Sequence, residues 1–174
     1  MTIRVAVAGL GRIGCGYDLA HPAPDRPSTH MGALFDDARF KVIAAADPDP
    51  EKRRLCQEKW PDTYYTDDLT ASIKQLEPDV VCIATPATER ADLISSAAEA
   101  NVGIIFCEKP LAPIIAEAEH IASIVRKSGS KLVVNFSRRW EPGCQQAATL
   151  LQNGEIGDIE LVRCLYTRGV SNNG

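Results

Sequence analysis

The sequence has no long apolar run, few aromatic residues and no large excess of charge of either sign. No segment approaches the ~18 consecutive apolar residues of a transmembrane helix, so the composition argues against a membrane-spanning protein. The formal net charge is −4, so we expect neither nucleic acid nor an anionic membrane surface as a partner. Apolar residues make up 45% of the chain, which is enough for a packed core and excludes a disordered protein.

The sequence also lacks any closely spaced cysteine pair. The six cysteines are Cys15, Cys56, Cys82, Cys107, Cys144 and Cys164. Because most lie in apolar surroundings without CxxC spacing, we predict reduced core thiols rather than a disulfide framework. The first residues enter a strand-like run directly and lack the layout of a signal peptide. Both observations favour a cytoplasmic localisation.

Strand-like and helix-like segments alternate along the chain. The strand-like runs are Ile3–Ala8, Lys41–Ala46, Thr63–Tyr65, Asp79–Ala84, Val102–Cys107 and Lys131–Asn135. The helix-like segments between and after them are Pro50–Trp60, Asp67–Leu76, Thr88–Ala100, Pro113–Lys127 and Glu141–Gln152. This spacing predicts βαβ units with right-handed crossovers. The expected fold class is therefore α/β, a doubly wound parallel sheet with helices on both faces.

A glycine-rich turn follows the first strand-like run. Gly9–Gly14 has the form GxGxxG, which is weak alone but becomes a dinucleotide fingerprint between a strand and a helix. Gly9 allows the tight turn, Gly11 lets a pyrophosphate approach the backbone, and Gly14 lets helix and strand pack closely. The free N–H groups of the following helix would face the phosphates. The sequence therefore predicts a dinucleotide site at this turn.

An acidic residue, Asp47, ends the second strand-like run. A carboxylate there can accept hydrogen bonds from the adenosine ribose and repels the 2′-phosphate of NADP, so it favours NAD over NADP. Two alternatives stay open at this stage. Asp47 could merely cap the helix beginning at Pro50, and Arg53 or Arg54 could reach a 2′-phosphate, although a solvated helix face suits these arginines better.

The distance between the glycine turn and Asp47 is unusually long. It exceeds the customary spacing of about 20 residues, and the excess lies in Cys15–Ser28, which we call the insertion. The insertion contains three prolines and is predicted not to be helical, with helical character resuming at Thr29–Phe35. Either a lid or a plain surface loop fits this segment. His21 in the insertion and His30 just beyond it lack metal-ligand spacing, so we expect no metal site.

A Glu-Lys-Pro sequence, Glu108–Pro110, follows the strand-like run Val102–Cys107. Ligands in open α/β sheets bind at the carboxyl ends of the strands, which is where this sequence falls. A lysine held beside a bound nicotinamide could donate a hydrogen bond to a substrate oxygen and stabilise a developing alkoxide.

Taken together, these segments resemble the N-terminal part of the Gfo/Idh/MocA family of NAD(P)-dependent sugar and cyclitol dehydrogenases. The segments that carry the resemblance are Gly9–Gly14, Ala46–Asp47, Ala84–Pro86, Cys107–Pro110, Phe136–Pro142 and Asn153–Asp158. The resemblance implies a Rossmann domain followed by an α/β domain with a large open sheet. It also implies hydride transfer between a sugar or cyclitol carbinol and nicotinamide C4.

The resemblance further assigns roles to individual residues. Lys109 would be the catalytic lysine, Glu108 would lie by the nicotinamide ribose, and the Lys109–Pro110 peptide would be cis. The cofactor, NAD in preference to NADP, is expected to contact Gly9, Gly11, Arg12, Ile13, Gly14, Asp47, Thr85, Pro86, Glu108, Lys109 and Arg139. The chain departs from the family at Ala87 and Arg90, where many members have Asn and His, and at Ser137, where many have Asn.

The resemblance also implies a longer protein. Family members continue into a second domain whose Asp-x-x-x-His pair supplies the main acid/base histidine, and none of His21, His30 and His120 is expected to replace it. We expect a Rossmann domain over residues 1–155 and the start of a truncated domain over 156–174. Its first strand, Ile159–Arg168, would pair with another copy and give a homo-oligomer, or the residues beyond Gly157 would be disordered.

Two classes of function follow from the sequence. In the first, the chain is the cofactor-binding part of a dehydrogenase acting on a small sugar-like substrate, inactive alone. In the second, it is a non-catalytic NAD-binding sensor or interaction module. The first is favoured because Lys109 and its neighbours are intact and because the final strand-like run lacks a partner in the chain.

Overall fold

The computed structural model describes residues 2–21 and 26–165. It consists of two compact units, one ending at Asn135 and the other beginning at Phe136. In the described ranges, no helix is long and apolar enough to cross a membrane.

The first unit is built on six parallel strands in the order β3-β2-β1-β4-β5-β6. The strands are β1 (Ile3–Ala8), β2 (Phe40–Ala46), β3 (Tyr64–Thr66), β4 (Val80–Ile83), β5 (Ile104–Glu108) and β6 (Lys131–Asn135). This sheet confirms the predicted α/β class. Its strand order reverses between β1 and β4, and the crevice at such a switch point is where ligands bind in this class of fold.

Helices connect the strands of this sheet. After a π-helical segment, Arg12–Gly16, come α1 (Tyr17–Ala20), α2 (His30–Asp36), α3 (Pro50–Lys59), α4 (Ile73–Leu76), α5 (Arg90–Glu99) and α6 (Ile115–Ser128). A short 3₁₀ helix, Ala87–Glu89, precedes α5. The predicted helix over Asp67–Leu76 is too long. The hydroxyl of Thr66 and the carboxylate of Asp68 accept backbone N–H bonds there, and such local bonds compete with helix formation.

The sheet is buried on both faces, as the apolar strand-like runs predict. Along β1, Val5 and Val7 pack into one apolar layer, whereas Ala6 and Ala8 pack into the other. The alternation places consecutive side chains of each strand on opposite faces. Because of this alternation, only side chains on the same face of β5 and β6 can contact each other at the candidate site.

The insertion differs from the prediction in its first part. Helical structure continues through Ala20, because the first proline of the insertion comes only at position 22, and residues 22–25 lie outside the described ranges. Asp18 accepts hydrogen bonds from the backbone N–H groups of Ser28 (2.8 Å) and Thr29 (3.1 Å) and from the Thr29 hydroxyl. The carboxylate thus joins the two ends of the insertion, and Thr29 then caps α2 by accepting from Gly32.

The prediction of reduced cysteines is wrong for one pair. Cys15, in the segment after the glycine turn, and Cys56, on α3, form a disulfide. Both belong to the same buried apolar layer, a proximity that their separation of 41 residues does not reveal. Cys82 and Cys107 are free and buried, whereas Cys144 and Cys164 are free and exposed.

The second unit contains a 3₁₀ helix, Ser137–Trp140, and α7 (Pro142–Gln152). The strand predicted over Ile159–Arg168 is wrong for residues 159–165, which form no strand, and residues 166–168 lie outside the described ranges. A strand is stabilised by pairing with a neighbour, and the described part of this unit contains no other strand. Leu161 and Leu165 are consequently exposed to solvent.

Candidate cofactor-binding site

The glycine turn packs tightly against the end of β4. Gly9 has a φ of +92°, and a Cβ there would lie 2.6 Å from the carbonyl carbon of Ala84 and 2.7 Å from the nitrogen of Thr85. A Cβ on Gly14 would overlap the carbonyl oxygen of Gly9. The fold itself therefore requires glycine at both positions, and their absence of side chains brings the turn against β4.

Gly11 is different, because the fold does not require it. Its φ of −70° suits any residue, and a Cβ there would meet no atom within 4 Å. The space over the turn is therefore open where the first helical turn leaves backbone N–H groups free for an anion. The residues between Gly11 and Gly14, Arg12 and Ile13, are exposed beside this space.

Asp47 joins the end of β2 to the glycine turn. Its carboxylate is buried, with Oδ2 accepting from the backbone N–H of Leu10 at 2.8 Å and Oδ1 accepting from that of Asp49 at 3.0 Å. Asp47 is not the cap of α3, because the N-cap is Asp49, whose carboxylate accepts from Glu51 at 2.9 Å. Asp47 thus stands at the edge of the sheet with its charge directed to the turn.

Among the three cations that follow Asp47, the contacts differ. Lys52 Nζ lies 3.3 Å from Oδ1 of Asp47, whereas Arg53 donates to the carbonyl oxygens of Asp47 (2.6 Å) and Pro48 (3.0 Å). Arg54 instead pairs with Glu51 and Glu58 on the exposed face of α3, as a solvated helix face predicts. Sequence analysis missed Lys52. Its position one helical turn beyond the cap was the available signal.

Arg90 ties two strand ends together. It is almost fully buried and donates to the carbonyl oxygen of Thr85 from Nε (3.0 Å) and Nη2 (2.6 Å). Its Nη1 donates to the carbonyl oxygens of Glu108 and Pro110. The departure from the family at this position therefore supplies a guanidinium clamp that fixes the loops after β4 and β5.

The loop after β5 carries the Glu-Lys-Pro sequence. The Lys109–Pro110 peptide is cis, which confirms the expectation from the resemblance. Lys109 is exposed at the carboxyl edge, whereas Glu108 is buried. The Glu108 Oε1 accepts from Asn135 Nδ2 at 2.7 Å and lies 3.0 Å from His30 Nε2.

Sequence analysis missed both partners of Glu108. Asn135 stands directly opposite Glu108 in the parallel register of β5 and β6, and two neighbouring strand ends could have predicted that contact. His30 is the first residue of α2, which follows the insertion. Nothing in the sequence indicates where the insertion places this histidine relative to β5. Its ring also packs edge-on against Phe106 of β5, with the ring centroids 5.7 Å apart.

Burial lowers the pKa of His30 more than the neighbouring Glu108 carboxylate raises it. The ring is therefore neutral at pH 7, and a neutral imidazole donates from one nitrogen only. Because a carboxylate can only accept, Nε2 carries the proton and Nδ1 keeps its lone pair.

Arg139 belongs to the second unit, and its described contacts lie within that unit. Its backbone N–H donates to the carbonyl oxygen of Phe136 at 2.9 Å, and its own carbonyl oxygen accepts from Gln145 Nε2 at 3.5 Å. A cofactor contact by this residue stays a prediction.

The remaining predicted residues converge on one edge of the sheet. The turn after β1 contacts Asp47 after β2 through Leu10, and it contacts the start of the loop after β4 through Gly9. Arg90 joins that loop to the loop after β5. An anion-accepting turn, a carboxylate on one side and an exposed lysine on the other suit an extended dinucleotide, and the fold is that of a dinucleotide-binding Rossmann domain.

Comparison with known proteins agrees with this class. Residues 3–136 match the Gfo/Idh/MocA oxidoreductase family, NAD-binding Rossmann fold, and the chain belongs to that family. It is 34% identical over 165 residues to the uncharacterized oxidoreductase YrbE of Bacillus subtilis, covering 92% of this chain and 43% of that protein. It is 28% identical to the inositol 2-dehydrogenase of Rhizobium meliloti, covering 93% of this chain and 44% of that enzyme.

A solved structure shows the same fold. The scyllo-inositol dehydrogenase of Lactobacillus casei, with bound NAD(H) and scyllo-inositol, superposes with a TM-score of 0.73 at 24% identity. The match covers 91% of this chain and 43% of that enzyme. The chain therefore spans less than half the length of the relatives it matches.

Proposed function

We propose that this chain binds NAD(H), in preference to NADP(H), across the carboxyl edge of its sheet. The observation that carries the proposal is the buried carboxylate of Asp47 bonded to the turn at Leu10, next to the open space over Gly11. The free turn N–H groups would hold the diphosphate, and Asp47 would accept from the adenosine ribose hydroxyls. The family match and the NAD(H)-bound L. casei enzyme support this assignment.

We further propose that the complete protein is a dehydrogenase for a sugar or cyclitol carbinol. Bound NAD would supply the hydride acceptor. Lys109, exposed at the end of β5, would donate a hydrogen bond to the carbinol oxygen and stabilise negative charge developing there. The Arg90 clamp would hold the Lys109 backbone in place. The inositol dehydrogenase activity of the R. meliloti relative supports a polyol as the substrate class.

Replacing Asp47 with alanine should weaken NAD binding and narrow its lead over NADP. The lost ribose hydrogen bonds should cost on the order of 1–3 kcal/mol, and removal of the negative charge should relieve repulsion of the 2′-phosphate. Calorimetric titration with each cofactor measures both effects. An unchanged NAD affinity, or a preference of the unsubstituted chain for NADP, would overturn the assignment of Asp47.

Asp47→Asn is the matched control for charge. It keeps a side-chain oxygen for the Leu10 N–H, so the turn should stay in place. It removes the repulsion of the 2′-phosphate, with Lys52 still adjacent to receive that group. NADP affinity should therefore rise in this variant, while loss of the second carboxylate oxygen, which accepts from the Asp49 N–H, should lower the midpoint of thermal unfolding modestly.

The 174-residue chain should bind NADH yet turn over no polyol. Lys109 is the group placed to act on a substrate, whereas the resemblance assigns the acid/base histidine to a second domain. Loss of a positioned general base typically costs ~10²–10⁴-fold in rate. The assay is NADH absorbance against a panel of sugars, inositols and nucleotide sugars. Turnover by this chain that disappears in Lys109→Ala would instead show that Lys109 suffices as the base.

The same assay on a longer product of the gene separates the two function classes. Polyol turnover would support the dehydrogenase, whereas NAD binding without turnover would support the sensor or interaction module. The cytoplasmic localisation, the self-association and the domain boundary after residue 155 stay predictions.

A further inference from the structure

The contacts of Glu108 leave one of its carboxylate oxygens free for a ligand. Oε1 takes both side-chain contacts of the carboxylate, from His30 and from Asn135. Across the described residues, no buried side-chain nitrogen or oxygen lacks a hydrogen-bond partner. Oε2 of Glu108 has no hydrogen-bond partner among the described residues, so it is not buried and contacts solvent. Nδ1 of His30 also has no partner among them, so it contacts solvent too.

The position of Glu108 in the sheet places it on the nicotinamide side of the proposed cofactor. A dinucleotide crosses a Rossmann sheet at the switch point, here between β1 and β4. Asp47 marks the adenosine half on the β2 side, so the other half lies towards β4 and β5. Glu108 ends β5, and its side chain shares the face of Phe106 and His30.

We propose, on the basis of that proposed function, that the His30–Glu108 pair sets the preference of the site between oxidised and reduced nicotinamide. With neutral His30, the Glu108 carboxylate has no cationic side chain bonded to it and keeps a negative charge that favours the positively charged ring of the oxidised cofactor. A cation at position 30 cancels that charge and removes the preference. His30 is thus a positioning residue, acting through Glu108.

The charge state of the pair follows from its surroundings. Burial holds the pKa of His30 below its ordinary value, so the pair carries one negative charge at neutral pH. Lys109, the residue after Glu108, is exposed to solvent, and other titratable groups around the pair contact neighbouring atoms. Asp18 accepts from Thr29, Arg90 donates to the backbone carbonyl of Glu108, and the buried Cys82 thiol has its pKa raised by burial and by Glu108.

Three variants at one pH test this proposal. Glu108→Gln removes the charge of the pair, His30→Arg adds a permanent cation that can still donate to Glu108, and His30→Gln is the neutral donor control. NADH affinity is measured by nucleotide fluorescence on the 174-residue chain at pH 7.5, and NAD⁺ affinity by competition against NADH. The quantity compared is the ratio of the two dissociation constants, Kd(NADH)/Kd(NAD⁺).

We expect this ratio to fall about three- to tenfold in Glu108→Gln and in His30→Arg. An effect of this size is expected when a unit charge near the ring is removed or cancelled at a dielectric between that of protein surface and water. His30→Gln should keep the ratio of the unsubstituted chain. If the His30–Glu108 pair acted only on the structure of the site, each variant would weaken NADH and NAD⁺ binding equally. The ratio of the two dissociation constants would then stay unchanged in all three variants.

Two failures are distinguishable. If the chain binds both forms and Glu108→Gln keeps the original ratio, the inference is wrong and the proposed function stands. If the unsubstituted chain binds neither form, the proposed function fails and the inference fails with it. Because Glu108→Gln keeps the acceptor for His30 and Asn135, it tests the charge even if His30→Arg does not fold.

Discussion

Replacing Gly11 with valine should abolish NAD(H) binding and leave the folded structure intact. A Cβ at this position would meet no protein atom within 4 Å, and the φ of −70° is available to any residue. The Cβ therefore introduces no steric clash within the folded chain. The valine would instead occupy the space over the turn that we assign to the diphosphate. Loss of the charge-assisted hydrogen bonds between the turn and the diphosphate would weaken binding by ~10²–10⁴-fold.

Two glycine controls make this experiment specific. Gly103→Val lies at the opposite, amino-terminal edge of the sheet, where a Cβ would make only ordinary contact, and should bind NADH as the unsubstituted chain does. Gly9→Ala should lower the thermal midpoint as well as binding, because its Cβ would overlap the backbone of Ala84 and Thr85. NADH fluorescence and thermal unfolding are measured for all three. If Gly11→Val bound NADH with the affinity of the unsubstituted chain, the assignment of the diphosphate to this turn would be wrong.

Replacing Arg90 with methionine should destabilise the first unit by about 2–4 kcal/mol. The change keeps much of the side-chain volume and deletes every bond to the carbonyl oxygens of Thr85, Glu108 and Pro110. Bonds to a charged donor contribute about 1.5–3 kcal/mol each, offset here by relief of the desolvation cost of the buried guanidinium. The free energy of unfolding in urea measures the loss.

Arg54→Met is the matched control for Arg90→Met. Arg54 is exposed and pairs with Glu51 and Glu58 on the same helix face, and such surface pairs contribute little to stability. NADH binding should weaken in Arg90→Met and stay unchanged in Arg54→Met. Equal stability in the two variants would show that the guanidinium clamp does not hold the loops after β4 and β5.

Local patterns in the sequence were sufficient to predict the sheet and to select candidate residues at its carboxyl edge. Short apolar runs gave each strand to within two or three residues, because a parallel strand buried on both faces needs an unbroken apolar run. The glycine turn, Asp47 and Lys109 could be recognised because each directly follows a strand. Their meeting at one edge then follows from the parallel topology.

What the sequence could not predict depends on long-range contacts. His30 reaches Glu108 only because Asp18 draws the ends of the insertion together, and no spacing rule anticipates that closure. The Arg90 clamp depends on carbonyl groups of two separate loops, which any sequence could provide. The Cys15–Cys56 disulfide likewise joins elements brought together only by the fold. The strand predicted over Ile159–Arg168 is wrong for residues 159–165 because an apolar pattern alone does not make a strand. A strand also needs a neighbouring strand to pair with.

Amide NMR mapping of NADH binding to the 174-residue chain tests the central claim most directly. Saturable shifts should appear at Gly9–Gly14, Asp47, Thr85 and Glu108–Lys109, on both sides of the switch point. Amides at the opposite edge of the sheet, such as Arg4, Asp79 and Gly103, should not move. Absence of saturable shifts, or shifts confined to that opposite edge, would contradict a cofactor site at the carboxyl ends of the strands.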